Sequence, residues 1–153
     1  MNLLPSLTDF DKKVRALVYD QTMRTGAPPA SGQAAAVLSV TRAEIQASLQ
    51  KLAEAHMLVL QREAGEVLMA NPFSAVPTPF LVRVGKQTYF GNCIWDAMGI
   101  PAMLKQDAVI QASCADCGTA MRLEIEKEEL KPSSGLIHFA VPAIRWWEDI
   151  VFT

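Results

Sequence analysis

Apolar positions recur at helical spacing near the start of the chain. After Thr8, the segment DFDKKVRALVYDQTMRTG places Phe10, Val14, Leu17, Val18 and Met23 on roughly a 3.6-residue repeat, and Gly26 supplies a stop. Thr8 reads as the N-cap, because a threonine hydroxyl can accept from an amide of the first turn. The alanine-rich GQAAAVLSV, after the turn APPASG, predicts a short second helix. Thr41 opens a third, RAEIQASLQKLAEAHM, in which Glu44 stands three residues after the cap and completes a capping box; Ile45, Leu49 and Leu52 form its core face. The period then changes, and MLVLQREAGEVLMAN reads as two β-like runs around a glycine turn. Three helices and a hairpin predict a winged-helix-like domain over residues 1–71.

NPFSAVPTP carries three prolines in nine residues and reads as an extended linker, residues 72–79. The second domain, residues 80–153, is mainly β. FLVRVGKQTYF alternates like a strand or hairpin, and AVIQASCADCGTAMRLEIE reads as two strands around a C-x-x-C turn. Between them Asn92 is expected to cap a helix that starts at Cys93 and is kinked by Pro101. LIHFAVP reads as an apolar strand, and IVFT as a core strand cut short. The fold class is α+β.

Composition narrows the function. A chain of 153 residues, half of them apolar, can bury a core. A net charge of −2 gives no electrostatic footprint for nucleic acid. Basic and acidic side chains balance over residues 1–70, and the third helix sets Arg42 and Lys51 against Glu44 and Glu54. Such a helix is poorly equipped for phosphates, so nucleic acid is not the expected partner. No run approaches the roughly 18 apolar residues of a membrane span. MNLLPSLTDFDKK has acidic residues where a signal peptide wants basic ones, so a cytoplasmic protein is expected. Three cysteines in a reducing compartment are better read as thiols for metal or catalysis than as a disulfide framework.

The candidate chemistry centres on YFGNCIWDAMGIPAML. A thiol in the first turn of a helix faces unpaired amides and the positive end of the dipole, which favour the thiolate. Asp96, three residues after Cys93, lies on the same helical face. The structural alternative is a buried small hydrophobe at Cys93 and a carboxylate answering the dipole at Asp96. Cys114 and Cys117 have the spacing of a metal knuckle, but a structural zinc needs four ligands and neither His56 nor His138 belongs to a paired motif. Two thiols in a tight turn closed by Gly118 is the competing reading. Both histidines read as structural, and Trp146 and Trp147 as packing residues. There is no phosphate-cradling glycine loop, no HExxH and no GxSxG.

With NCIWDAMGIPAML, SCADCGTAMRLEI and VPAIRWWEDIVFT, the chain resembles the organomercurial (alkylmercury) lyase family over essentially its whole length, a winged-helix-like domain preceding the catalytic one. The most specific part is the Cys-x-x-Asp of Cys93 and Asp96 before a proline-containing apolar helix. The resemblance implies protonolytic cleavage of a carbon–mercury bond to hydrocarbon and Hg(II). Cys93 would be a mercury-binding thiolate, Asp96 the proton-handling carboxylate, and Trp95 part of the pocket for the organic group. The partners would be an organomercurial and small thiols; no cofactor is required, mercury being part of substrate and product.

The family's second catalytic thiol lies just after the segment that here reads WWEDIVFT, and the chain ends at Thr153. Cys114 and Cys117 match a different part of the family pattern. The expectation is therefore that the fold continues past Thr153, either because the chain was trimmed or because a UGA codon is read there as selenocysteine. Two other classes compete with a lyase: a non-catalytic protein that captures mercury or zinc through its three thiols, and a metal-sensing winged-helix regulator.

Overall fold

A computed structural model describes residues 6–151, so Met1–Pro5 and the end of the IVFT segment, Phe152 and Thr153, lie outside the described residues. The first helix, α1 (Asp9–Thr25), begins where expected: the Asp11 amide donates to Thr8 Oγ1 at 3.2 Å while the Thr8 amide donates to Asp11 Oδ2 at 2.8 Å. It ends at Gly26, which takes φ +86° and donates its N–H to the Thr22 carbonyl. A side chain at Gly26 would meet the Thr88 carbonyl at 2.6 Å, so glycine both ends the helix and lets it dock on the second half of the chain.

Helix α2 (Ser31–Leu38) borrows its cap from far away in sequence. Glu66 accepts from the Ser31 amide at 2.7 Å and from its hydroxyl at 2.6 Å, and Arg42 completes the cluster. A carboxylate at a helix N-terminus satisfies orphan amides and answers the dipole. Helix α3 (Arg42–Glu54) has the predicted Thr41–Glu44 capping box. The hairpin β1 (Val59–Leu60) and β2 (Val67–Ala70) follows. Val14, Val18, Ile45, Leu49, Leu52, Leu58 and Val67 form the first core.

The proline-rich stretch is more structured than an extended connection. After a cis Asn71–Pro72 bond, β3 (Phe73–Ser74) pairs with β2 as the third strand of the first sheet. Phe73, 1% exposed, puts its ring into the second core against Tyr89. Burying such a side chain is worth roughly 1.5–3 kcal/mol, so this one residue ties the halves of the molecule together. Tyr89 adds a hydrogen bond from its hydroxyl to the Met23 carbonyl of α1.

The second sheet is antiparallel, in the order β5-β4-β6-β7-β8: β4 (Leu81–Val84), β5 (Gln87–Phe90), β6 (Ala108–Ser113), β7 (Ala120–Glu126) and β8 (Glu129–Leu130). Helix α4 (Ile94–Leu104) lies on it through Ala97 and Ile100, and runs through Pro101 without ending there. Two sequence expectations fail beyond β8. Residues 136–142, LIHFAVP, form no strand: residues 132–140 are exposed and have no ladder partner among the described residues, so His138 is not a strand residue. Ile150 and Val151 sit in a turn after a 3-10 helix (Ala143–Glu148), with Val151 exposed, and do not form a core strand. Among the described residues no helix is long and apolar enough to cross a membrane.

Candidate active site

The start of α4 is placed by Gly91. Its N–H donates to the Phe80 carbonyl at 2.9 Å, its carbonyl accepts from Thr78 Oγ1, and a side chain there would meet the Ala97 amide nitrogen at 2.6 Å. Only hydrogen fits between this corner and the first turn of the helix. The N-cap is Cys93 rather than Asn92, with extended backbone and a carbonyl that accepts from the Ala97 amide at 2.9 Å. Asn92 was expected to cap, but its Oδ1, the atom that would accept a helix amide, is buried without a partner, while its Nδ2 donates to Asn71 Oδ1 at 3.1 Å and to Asp96 Oδ2 at 2.9 Å.

Cys93 makes no side-chain capping bond, and its half-buried thiol faces a cavity of about 590 Å³. Phe80, Met98, Leu123, Phe139 and Trp146 supply much of the apolar wall. Burial pushes the Cys93 thiol up from its ordinary pKa, and the charge of Asp96 works in the same direction, while the amides of Asp96 and Trp95 pull it down. The expected dipole-stabilised thiolate is thus outweighed by desolvation in the free protein. Asp96 is also raised, by burial, although the bonds from Asn92 oppose it. A half-buried carboxyl and a half-buried thiol therefore stand together, both biased toward their protonated forms.

A chain of contacts runs from α1 to this carboxyl. The Tyr19 hydroxyl donates to the Asn71 carbonyl at 2.9 Å, Asn71 accepts from Asn92, and Asn92 holds Asp96. Burial chiefly raises the Tyr19 phenol, with Arg15 opposing and the charge of Asp96 adding to the rise. Tyr19, Asn71 and Asn92 carry no motif, and the single sequence gave no signal that they converge.

Trp95, expected in the pocket wall, stands 56% exposed outside it, with its ring edge-on to Phe139 at 6.1 Å between centroids. The physical reason is rotation: Ile94 and Met98, four residues apart, take the cavity face, and the next position along the helix turns about 100° away. Cys114 and Cys93, in contrast, line one cavity despite belonging to different elements. Cys117 is exposed, with Sγ 3.1 Å from Thr119 Oγ1, and its thiol is lowered by Thr119 first and by Cys114 next. His138 lines the cavity as part of the irregular segment, and His56 stacks on Trp147 at 4.2 Å. Among the described residues no group of three or more His, Cys, Asp or Glu side chains is placed to hold a metal ion, so the three thiols do not converge on one site.

Residues 73–153, just over half of the chain, match the family model described as MerB, alkylmercury lyase. A solved structure, the mercury-bound form of MerB2, shares the fold with a TM-score of 0.62 at 19% sequence identity. The match covers 79% of this chain and 59% of that one, so the chain spans less than two thirds of the length of this structural relative. A comparison with curated proteins finds no match.

Proposed function

The chain belongs to the alkylmercury lyase family, and on that premise we propose that it cleaves carbon–mercury bonds, with Cys93 binding the metal and Asp96 delivering the proton. The observation that carries this reading is the pairing of a thiol that faces an apolar cavity with a carboxyl, three residues on, that burial biases toward its protonated form. Mercury is a soft cation and selects thiolate. An organomercurial held by a small thiol exchanges onto Cys93: the Cys93 Sγ–Hg bond forms, the bond to the small thiol breaks, and that thiolate takes a proton. Thiolate coordination increases electron density on the metal-bound carbon. Asp96 in its acid form then protonates that carbon, the C–Hg bond breaks and the hydrocarbon leaves; a further small thiol binds the Hg(II) left on Cys93 as its second ligand, and the proton that thiol gives up restores the acid form of Asp96.

The raised carboxyl suits this division of labour, because an acid ionised at its ordinary pKa would rarely carry a proton near neutrality. The cavity wall suits an alkyl or aryl group and keeps water from competing for the metal. The test is release of arene from an arylmercurial in excess small thiol, followed by gas chromatography. Turnover by the wild-type chain that disappears in Cys93→Ser and falls steeply in Asp96→Asn supports the reading. Equal turnover by wild type and Cys93→Ser removes the thiol from the mechanism.

A further inference from the structure

The C-x-x-C turn takes no part in the reaction proposed above, yet it borders the same cavity. Strands β6 and β7 pin it at both ends: the Cys114 amide donates to the Thr119 carbonyl and the Gly118 amide to the Cys114 carbonyl, each at 2.9 Å. Gly118 adopts φ +70°, which glycine takes at no steric cost. The two thiols stand at the first and fourth positions of this one tight turn, and Cys117 Sγ lies 3.1 Å from Thr119 Oγ1. Their exposures differ in a directed way. Cys114 is half-buried and lines the cavity beside Cys93, whereas Cys117 is exposed to solvent.

The geometry points to a second soft-metal site, in which Cys114 and Cys117 together accept Hg(II) from the cavity and hold it at the surface for an external thiol. The source of the Hg(II) rests on the reaction proposed above; the site itself does not. Transfer onto the pair is thiol exchange. Two Hg–S bonds form, to Cys114 and Cys117, two Hg–S bonds to the former ligands break, and each departing thiolate takes a proton from an incoming thiol. Mercury stays Hg(II) throughout, so no oxidant or reductant is needed. Zinc is the poorer occupant, because it needs four ligands and the turn offers two with no third ligand group beside it among the described residues. Hg(II) is satisfied by two thiolates.

The probe is mercury(II) chloride, one equivalent added to the full chain in excess small monothiol, followed by desalting and metal analysis. Two thiols on one turn act at high effective concentration, so wild type and Cys93→Ser should retain about one equivalent, while Cys114→Ser and Cys117→Ser should each retain at least about tenfold less. Loss of retention in Cys93→Ser, or full retention in Cys114→Ser, overturns the site. A second readout needs no variant: in the wild-type chain, mercury should protect Cys114 and Cys117 from alkylation, mapped by peptide mass spectrometry, and leave Cys93 reactive. Protection of Cys93 with Cys117 still reactive overturns it equally. Because inorganic mercury is used, failure here is separate from failure to release arene, which is measured with the arylmercurial.

Discussion

Helices α1 and α4 begin with the same spacing, a capping residue followed three positions later by an aspartate, Thr8–Asp11 in one and Cys93–Asp96 in the other, and their electrostatics are opposite. Asp11 is 1% exposed, and burial works to raise its pKa. Yet hydrogen bonds from Ser48 at 2.7 Å and from Thr8, with Lys51 3.9 Å away, hold it below the usual carboxylate value. Asp96 has less help: Asn92 supplies its bonds, its cap is a thiol that makes no capping bond, and burial wins. The difference teaches that burial alone does not decide the charge of a carboxyl; the count of donors aimed at it does. One helix start is built for stability, and the other leaves a proton available beside a soft nucleophile.

The largest effect should come from emptying the reactive end. Asp96→Asn keeps an acceptor for Asn92 but has no proton to give, and should lower arene release by about 10²–10⁴-fold, the range of general acid catalysis. Unchanged release would move the acid elsewhere. The matching break in α1 should appear in stability. Asp11→Ala removes the bonds from Thr8 and Ser48 and should cost about 2–3 kcal/mol in denaturant melts, with no direct effect on the chemistry. A loss below about 0.5 kcal/mol, the level of an ordinary surface substitution, would show that the buried charge is not what anchors α1 to α3.

Cys93→Thr makes the two helix starts alike. The new hydroxyl can accept from the Asp96 amide, so the fold should gain about 1 kcal/mol as arene release is lost. No gain in a urea melt would mean that the bonds from Asn92 already set the geometry of the turn. The smallest effect is the pH dependence of stability, which should carry opposite signs at the two sites. Asp11 has a lowered folded pKa, so its contribution is fully present above the unfolded carboxyl value and is lost as pH falls through the folded one. Asp96 has a raised folded pKa, so its ionised form costs stability at neutral pH, and that cost vanishes below the unfolded value. Asp96→Asn should therefore raise the melting temperature at pH 7 by about 1–2 °C, a gain that disappears on acidification toward pH 4, while the deficit of Asp11→Ala persists through that change and shrinks only on further acidification, below about pH 4. A gain for Asp96→Asn that persists in acid would assign it to packing instead of charge.

Much of the fold was legible in the residues because the signals that set it are local. Thr8, Gly26 and the Thr41–Glu44 box act within three or four residues, and α1 and α3 begin where those signals stand. The alternation of FLVRVGKQTYF and the C-x-x-C turn likewise placed β4–β5 and β6–β7. Local pattern misled where an element needs a partner. LIHFAVP is apolar enough for a strand, but β8 closes the sheet order and, among the described residues, no strand pairs with residues 132–140.

The site divides along the same line. By itself the sequence determined that a thiol and a carboxyl stand at a helix start, because Cys93 and Asp96 are three residues apart on one element. The tertiary structure decided what they are: desolvation raises both, Asn92 and Asn71 link Asp96 to Tyr19 on α1, and Cys114 comes to the cavity that Cys93 faces. Tyr19 and Asn92, or Cys93 and Cys114, meet only when elements far apart in the chain pack. Burial and hydrogen bonding, which set a proton's affinity, are properties of that packing and not of residue spacing.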